Sequence, residues 1–206
     1  MKRWHTAAVI VAVIVAMIAM FYAGKVSAAK PAEEPAAMSS LPGNSVYQLP
    51  LVLTDHNGRA ADWRVRRGKP QLVSMFYTSC KYICPLIIDS GKAIERQLTP
   101  AEQQRIGILL ISMDPKRDTP AALKYIVEKR KLDVARWTLA SPPKQDVRAV
   151  AGVLGIRYRA LADGEFNHTS ALVLLDADGR ILARTERMGA RPDPEFLAAV
   201  KRAVAK

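Results

Sequence analysis

The sequence holds two cysteines, and both lie in one short segment, Tyr77-Thr-Ser-Cys80-Lys-Tyr-Ile-Cys84-Pro85. An apolar run precedes this segment and a helical pattern follows it, so we expect the thiols between a buried strand and a helix. Cα atoms four residues apart on a helix are roughly 6 Å apart, within reach of a disulfide. The N–H groups at a helix N-terminus and the charge of Lys81 are expected to lower the thiol pKa values. The pair could therefore cycle between dithiol and disulfide.

The same two thiolates could hold one soft metal ion, and a small ligand set suits Cu(I) better than zinc. Two cysteines are too few for a disulfide scaffold, a zinc ribbon or an iron–sulfur cluster. The alternative is an inert pair, either two small hydrophobic side chains packed at a helix start or a structural disulfide. Their predicted loop position and the flanking charge favour a reactive pair.

A histidine would supply the third ligand of such a metal site, and the chain has three. His5 borders an N-terminal apolar run and His56 lies in a predicted hairpin turn, so surface exposure is expected for each. His168 immediately precedes the apolar run Thr169 to Leu175, a predicted strand at the edge of the central sheet. A loop residue there could face the dithiol and complete a three-coordinate Cys2His site. The alternative is an ordinary surface or capping histidine.

The elements that must position these residues alternate between strands and helices. Asn57-Gly58 predicts a first hairpin between strands at 51–54 and 62–65. The later elements are predicted as a strand at 72–77, a helix at 85–98, a strand at 106–113, a helix from Pro120 capped by Thr119, a strand at 137–140, a helix at 147–154, a hairpin at 171–184 and a helix from Pro194 capped by Asp193. This order predicts an α/β fold of the thioredoxin-like kind, a mixed sheet flanked by helices.

The N-terminus has the pattern of an export signal or membrane anchor. Lys2 and Arg3 precede an uncharged run of 17 residues from Ala7 to Ala23. A signal h-region usually has about 7 to 15 residues and a membrane span roughly 17 to 25, so the length favours an anchor. Small residues before position 29 make cleavage after Ala28 the alternative. The positive charges place the N-terminus in the cytoplasm and the rest outside.

Three parts of the chain follow from this pattern. Residues 1–28 are predicted as a signal anchor or signal peptide, residues 29–43 as a flexible tether rich in Ala, Pro and Ser, and residues 44–206 as the thioredoxin-like domain. The predicted location is the bacterial inner membrane, with the domain in the periplasm. Cleavage would instead give a soluble periplasmic protein.

The formal net charge of +12 suggests an acidic partner, a membrane surface or nucleic acid. Four basic residues and no acidic residue precede position 31, which leaves +8 for the rest of the chain. The charges are dispersed and an exported domain does not meet nucleic acid, so no nucleic-acid partner is expected. The surplus is predicted to attract anionic lipid or an acidic face of a partner protein.

Three motifs together resemble the Sco/SenC family of copper-handling thioredoxin-fold proteins. They are Cys80-x-x-x-Cys84-Pro85 after a strand, the segment Asp114-Pro-Lys-Arg-Asp-Thr-Pro120, and Asn167-His168-Thr169 before a strand. The resemblance implies that Cys80, Cys84 and His168 bind copper, as Cu(I) or Cu(II), and that the dithiol is redox-active. It further implies delivery of copper to, or maturation of, the dinuclear copper site of a cytochrome oxidase.

Two positions depart from the family pattern. Many members have Pro where this chain has Lys81, and many have Asp where it has Asn167. Lys81 is expected to favour thiolate and thus thiol exchange. Asn167 removes a candidate outer partner of the imidazole, which would weaken metal affinity. Asp114 is either a possible outer-shell residue of the metal or part of a strand exit before a helix capped through Asp118 and Thr119.

Two functions from different classes therefore compete. The first is a membrane-anchored periplasmic copper chaperone, more a metallochaperone than an enzyme, whose partners are the copper-site subunit of a cytochrome oxidase and a periplasmic copper donor or thiol reductant. The second is a thiol–disulfide oxidoreductase that reduces cysteines of an apo-target. A peroxidase of the same fold is a third alternative. Metal transfer requires His168 and dithiol exchange does not.

Overall fold

The computed structural model describes residues 40–80 and 83–205. The predicted anchor or signal peptide, His5 and most of the predicted tether lie outside the described residues, as does Lys81. Leu41–Lys206 form one compact unit. Within the described ranges, no helix combines the length and the apolar character needed to cross a bilayer.

A central sheet of seven strands organises this unit. Its strands are β1 (Val52–Asp55), β2 (Ala60–Asp62), β3 (Gln71–Phe76), β4 (Gly107–Ser112), β5 (Trp137–Ser141), β8 (Leu172–Leu175) and β9 (Ile181–Thr185), in the spatial order β2-β1-β5-β4-β3-β8-β9. Strands β3, β4 and β5 are parallel, and the remaining pairs are antiparallel. Two further strands, β6 (Tyr158–Ala160) and β7 (Phe166–His168), form a separate antiparallel sheet.

Helices flank the central sheet. They are α1 (Ile83–Glu95), α2 (Pro100–Gln104), α3 (Pro120–Lys129), α4 (Val147–Val153) and α5 (Pro194–Val204), with short 3₁₀ helices at Val46–Gln48, Trp63–Arg66 and Lys144–Asp146. All residues of β3 and β4 are buried, as expected for central strands covered on both faces. The predicted mixed α/β architecture is therefore confirmed.

The predicted helix starts are also confirmed at the residues that cap them. Thr119 accepts a hydrogen bond from the backbone N–H of Ala122, and Asp193 accepts one from that of Glu195. In both cases a proline occupies the first helical turn, where its missing N–H costs nothing. These caps fix where α3 and α5 begin.

Helix α1 packs closely on the sheet because it carries a glycine at the contact. A Cβ atom at Gly91 would lie 2.6 Å from Cη2 of Trp137 in β5, which is closer than real Cβ contacts. Any larger residue would push the helix away from the sheet. The N-terminus of α1, which carries Cys84, is thereby held near the end of β3.

Two local predictions were wrong. The second strand of the first hairpin ends at Asp62, because the Asp62 side chain caps the 3₁₀ helix that follows by accepting from the N–H of Arg64 (2.8 Å). His56 is buried, with 5% of its surface exposed, rather than solvated. Its N–H donates to the carbonyl of Leu139 (2.9 Å) and its Nδ1 lies 3.4 Å from Leu139 backbone atoms, because β1 pairs with β5 at this turn.

The position of His168 also differs from the prediction. The strand expected from Thr169 begins at Leu172, and His168 is the last residue of β7 in the separate hairpin. It is thus a strand residue opposite Tyr158 and not a loop residue at the edge of the central sheet. The N–H of Thr169 donates to the carbonyl of Arg157 (2.8 Å), which extends this hairpin beyond His168.

Candidate functional site

The two cysteines lie together where β3 leads into α1. Both are free thiols, Cys80 with 8% and Cys84 with 3% of its surface exposed. The N–H of Cys84 donates to Sγ of Cys80, and the N–H of Tyr77 donates to Sγ of Cys84, both at 3.4 Å. Each sulfur therefore accepts a backbone hydrogen bond.

The pKa of the Cys84 thiol differs from the expectation of a lowered value. Burial raises the pKa of the Cys84 thiol well above its ordinary range, and the neighbouring Cys80 raises it further. The hydrogen bond from the N–H of Tyr77 opposes this without overcoming it. Desolvation of a buried thiolate thus outweighs the favourable position near a helix N-terminus. Cys84 is a neutral thiol at neutral pH.

Asp118 anchors the turn that carries Cys80. Its carboxylate accepts from the N–H of Thr78 (3.1 Å), from Oγ1 of Thr78 (2.5 Å) and from Oγ of Ser112 at the end of β4 (2.5 Å). The residue is fully buried, and burial raises its pKa while the Ser112 and Thr78 hydrogen bonds lower it. Asp118 therefore joins β4 to the dithiol turn. The helix cap predicted for it belongs to Thr119 alone.

Asp114 is buried, but its carboxylate is ion-paired with the Arg117 guanidinium. Arg117 also donates to the carbonyl of Gly164, and its guanidinium carbon lies 6.0 Å from the centre of the Phe166 ring. The Asp114–Arg117 pair thus holds the tip of the β6–β7 hairpin. An outer-shell role of Asp114 toward a metal remains a prediction.

Tyr77 contacts all three predicted ligands. Its N–H reaches Cys84, its hydroxyl interacts with the Cys80 side chain, and its ring meets the His168 ring edge-on with centroids 5.9 Å apart. The hydroxyl donates to Oε2 of Glu165 in the hairpin (2.7 Å), and the ring packs edge-on against Phe166. Burial, Glu165 and Cys80 all raise the pKa of Tyr77, so it stays a hydrogen-bond donor.

The two ring nitrogens of His168 differ in their hydrogen bonding. Nδ1 lies 3.3 Å from the carbonyl of Thr169, and Nε2 is buried without a hydrogen-bond partner in the described structure. Burial lowers the pKa of His168, and the Thr169 carbonyl only partly opposes this. The imidazole is therefore neutral at neutral pH, with a lone pair available at one nitrogen, the form that binds metals. The backbone carbonyl of Thr169, and not the side chain of Asn167, therefore orients the imidazole ring.

The structure brings the two cysteines together. It places the His168 ring against Tyr77, which also contacts both cysteines. Among residues 40–80 and 83–205, no group of three or more His, Cys, Asp and Glu side chains is close enough to hold a metal ion. Two soft sulfur atoms and a neutral imidazole with a free nitrogen are nevertheless the kinds of ligand that bind a soft monovalent cation. A three-coordinate site needs His168 and the dithiol to approach one another.

A cavity of about 420 Å³ opens beside the thiols. Cys80 and Cys84 form one part of its wall, Ile88 and Ile126 form an apolar part, and Lys129 lies at its end. This cavity gives a thiol or a metal acceptor from another molecule a route to the dithiol.

Three residues of this site were missed from the sequence. The chemistry of Tyr77 and Glu165 depends on the β6–β7 hairpin, which was not predicted, although Asp163-Gly164 is a turn signal between alternating apolar residues. Asp118 was noted only as a capping residue. Its burial between Thr78 and Ser112 requires the parallel pairing of β3 and β4, which no local pattern reveals.

A family model described as SCO1/SenC matches residues 40–205. Among curated proteins, the chain is 30% identical over 138 residues to an SCO2-like protein of Rickettsia prowazekii, a match that covers 65% of this chain and 66% of that relative. The chain thus spans about two thirds of the length of this relative.

Solved structures show the same fold. ScoI of Bradyrhizobium japonicum, solved with copper bound, superposes with a TM-score of 0.60 at 27% identity, covering 75% of this chain and 97% of that chain. BsSco, described as a member of the Sco family of cytochrome c oxidase assembly proteins with a disulfide switch, superposes with a TM-score of 0.63 at 22% identity, covering 76% of this chain and 92% of that chain. The predicted thioredoxin-like plan and the predicted resemblance are both confirmed.

Proposed function

The chain belongs to the SCO1/SenC family, and on that premise we propose that it binds copper and takes part in assembling the copper site of a cytochrome oxidase. The copper-bound ScoI structure supports the metal, and the description of BsSco supports the oxidase pathway. Copper is here the cargo of the protein. The proposed partner is the oxidase subunit that holds the dinuclear copper site.

The proposed ligands are Cys80, Cys84 and His168. The observation that carries this assignment is the buried Nε2 of His168, which has no partner among the described residues while Nδ1 is oriented by Thr169. A buried nitrogen without a hydrogen bond costs free energy, and a metal bond would satisfy it. Two thiolates and one imidazole give Cu(I) its preferred low coordination number.

The remaining parts of the proposal concern the setting of the protein. We propose that residues 1–28 anchor the chain in the bacterial inner membrane, that residues 29–43 form a tether and that the domain lies in the periplasm. A periplasmic copper donor or a thiol reductant would then load or reduce the dithiol. The alternative of a cleaved, soluble periplasmic form leaves the copper chemistry unchanged.

Thiol–disulfide exchange is the second candidate function. The observation that favours it is the contact between the cysteines, where the N–H of Cys84 lies 3.4 Å from Sγ of Cys80 and both thiols line an open cavity. Such a pair can attack a disulfide of a target through one sulfur and resolve the mixed disulfide through the other. This reaction needs no histidine.

Substitution of His168→Ala separates the two functions. We expect this variant to bind Cu(I) at least about tenfold more weakly, because a direct ligand is lost, and to reduce a disulfide-bonded peptide at nearly the original rate. Competition with a chromophoric Cu(I) chelator measures the affinity, and thiol release from the peptide measures the exchange.

Asn167→Ala is the matched control, since Asn167 is an exposed neighbour in the same strand. It should leave both readouts unchanged. An unchanged copper affinity in His168→Ala would remove His168 from the metal site and would leave dithiol exchange as the function supported by the geometry.

A further inference from the structure

The β6–β7 hairpin has two chemically different faces. In an antiparallel pair, opposed residues share a face and neighbours along a strand alternate. Tyr158 pairs with His168, and the next pair on that face includes Phe166, so this face carries the rings that meet Tyr77. Arg159 pairs with Asn167 on the opposite face. The hairpin therefore has one face with rings that contact Tyr77 and an opposite, polar face, which we call the outer face.

The outer face carries two arginines. Arg159 lies in β6 opposite Asn167, and Arg157 immediately precedes β6. The carbonyl of Arg157 accepts from the N–H of Thr169 (2.8 Å), which extends the pairing by one residue and places both arginines on the side that holds Asn167. Both are exposed, and neither guanidinium has a carboxylate partner within the described residues. Glu186, which lines the same cleft, forms an ion pair with Arg184 (3.0 Å).

These side chains line a cleft of about 490 Å³, which we call the arginine cleft. Its wall is formed by Arg157, Arg159, Asn167, Thr169, Ser170 and Glu186, together with His168 and Tyr158. Guanidinium, amide and hydroxyl groups are the donors that recognise carboxylate oxygens in a fixed geometry.

We propose that the arginine cleft docks an acidic segment of the protein that receives copper from this chain. The inference rests on the proposed copper function and adds the recognition surface for its partner. The cleft suits aspartate or glutamate side chains better than a lipid surface, because its donors surround a concave volume next to His168. An acceptor bound there lies against the strand that supplies the third ligand.

The position of the cleft has a functional consequence. A segment docked in the arginine cleft lies beside His168, which lines this cleft and whose ring also contacts Tyr77. The acidic segment thus brings the acceptor next to a proposed metal ligand. Exposed charges of this kind mainly raise the rate of productive encounter and lose their effect at high salt.

Copper transfer to designed peptides tests the proposal. The full chain is loaded with Cu(I) and mixed with a dithiol peptide flanked by aspartates or with a matched peptide flanked by asparagines. We expect transfer to the aspartate peptide to be roughly tenfold faster at low ionic strength. The double variant Arg157→Ala/Arg159→Ala should abolish this preference and leave transfer to the asparagine peptide unchanged.

The control variant Arg148→Ala/Arg202→Ala removes the same charge from two exposed arginines on α4 and α5, outside the arginine cleft. It should keep the preference for the aspartate peptide. A preference that survives in Arg157→Ala/Arg159→Ala, or that falls equally in the control, overturns the proposal.

Two further readouts keep this test separate from that of the copper function. Copper per chain is measured before mixing, and a chain that binds no copper contradicts the proposed function and not the cleft. Binding of the copper-free aspartate peptide is then compared with that of inorganic phosphate. If phosphate binds the cleft as tightly as the peptide, the cleft is a site for free oxyanions, and the docking proposal is wrong.

Discussion

The cysteines and His168 are held by two very different regions. The cysteines follow β3, a six-residue strand buried along its whole length, and their turn is fixed by the fully buried Asp118. His168 ends a hairpin of two three-residue strands that forms its own sheet. One region belongs to the core and the other is attached to it through side chains.

The attachments of the hairpin are few and specific. Tyr77 donates to Glu165 and packs against Phe166, and Arg117 donates to the carbonyl of Gly164. Elements with few buried contacts open at lower free energy than core strands. The comparison indicates that the core holds the dithiol, whereas the position of His168 depends on these few contacts of its hairpin. Tyr77 contacts both regions and therefore links them.

The same division explains what the sequence could predict. The apolar runs of β3 and β4 and the capping residues of α3 and α5 are local signals, and the structure confirms them. The short hairpin was missed because an alternation that lasts only three residues on each strand is too short to distinguish a strand from a loop. His56 was misassigned for a related reason. Its burial follows from the pairing of β1 with the distant β5.

The candidate site shows the same limit. The pairing of Cys80 with Cys84 follows from their spacing, and the structure confirms that the thiols are adjacent. The raised pKa of Cys84 depends on how deeply the surrounding chain buries it, and a helix-start argument cannot supply that quantity. The contact between His168 and Tyr77 likewise depends on the missed hairpin.

The largest effect on stability is expected from substituting Asp118, which fixes the dithiol turn to the core. Asp118→Ala leaves the N–H of Thr78 and two hydroxyl groups without their acceptor, which should lower the free energy of unfolding by about 3 kcal/mol. Asp118→Asn keeps an acceptor and removes a charge that burial disfavours, so it should cost less than about 1 kcal/mol. Denaturant unfolding measures both. Equal losses in the two variants would show that the hydrogen bonds to Thr78 and Ser112 do not hold the turn.

The pH dependence of copper binding sharpens the contrast between the two regions. Burial raises the pKa of Cys84, so its thiol must release a proton on binding copper, and affinity should rise with pH through the neutral range. The increase is about tenfold per pH unit for each proton released. The lowered pKa of His168 means that its imidazole is already neutral near pH 7 and releases no proton.

Competition with a Cu(I) chelator at several pH values measures this slope, after correction for the protonation of the chelator. The variant His168→Ala should bind more weakly at every pH and keep the same slope. A flat profile in the unaltered chain would show that copper binding releases no proton. A slope that disappears in the variant would show that the proton comes from His168 and not from the cysteines.

The smallest effect is expected from loosening the hairpin at Tyr77. Tyr77→Phe keeps the ring contacts with Phe166 and His168 and removes the 2.7 Å hydrogen bond to Glu165, at a cost of about 1 kcal/mol. Amide hydrogen exchange should become faster at Leu161, whose N–H donates to the carbonyl of Glu165, and remain unchanged in β4. Equal acceleration in both places would mean that the hairpin and the core open together.

The central claim is that two thiols of the core and one imidazole of the hairpin bind a single copper ion. Copper analysis and X-ray absorption of the reduced, Cu(I)-loaded full chain test it most directly. We predict about one copper per chain, bonded to two sulfur atoms and one nitrogen atom, with the nitrogen lost in His168→Ala. Substoichiometric copper, or a sulfur-only environment that is identical in the variant, would contradict the assignment.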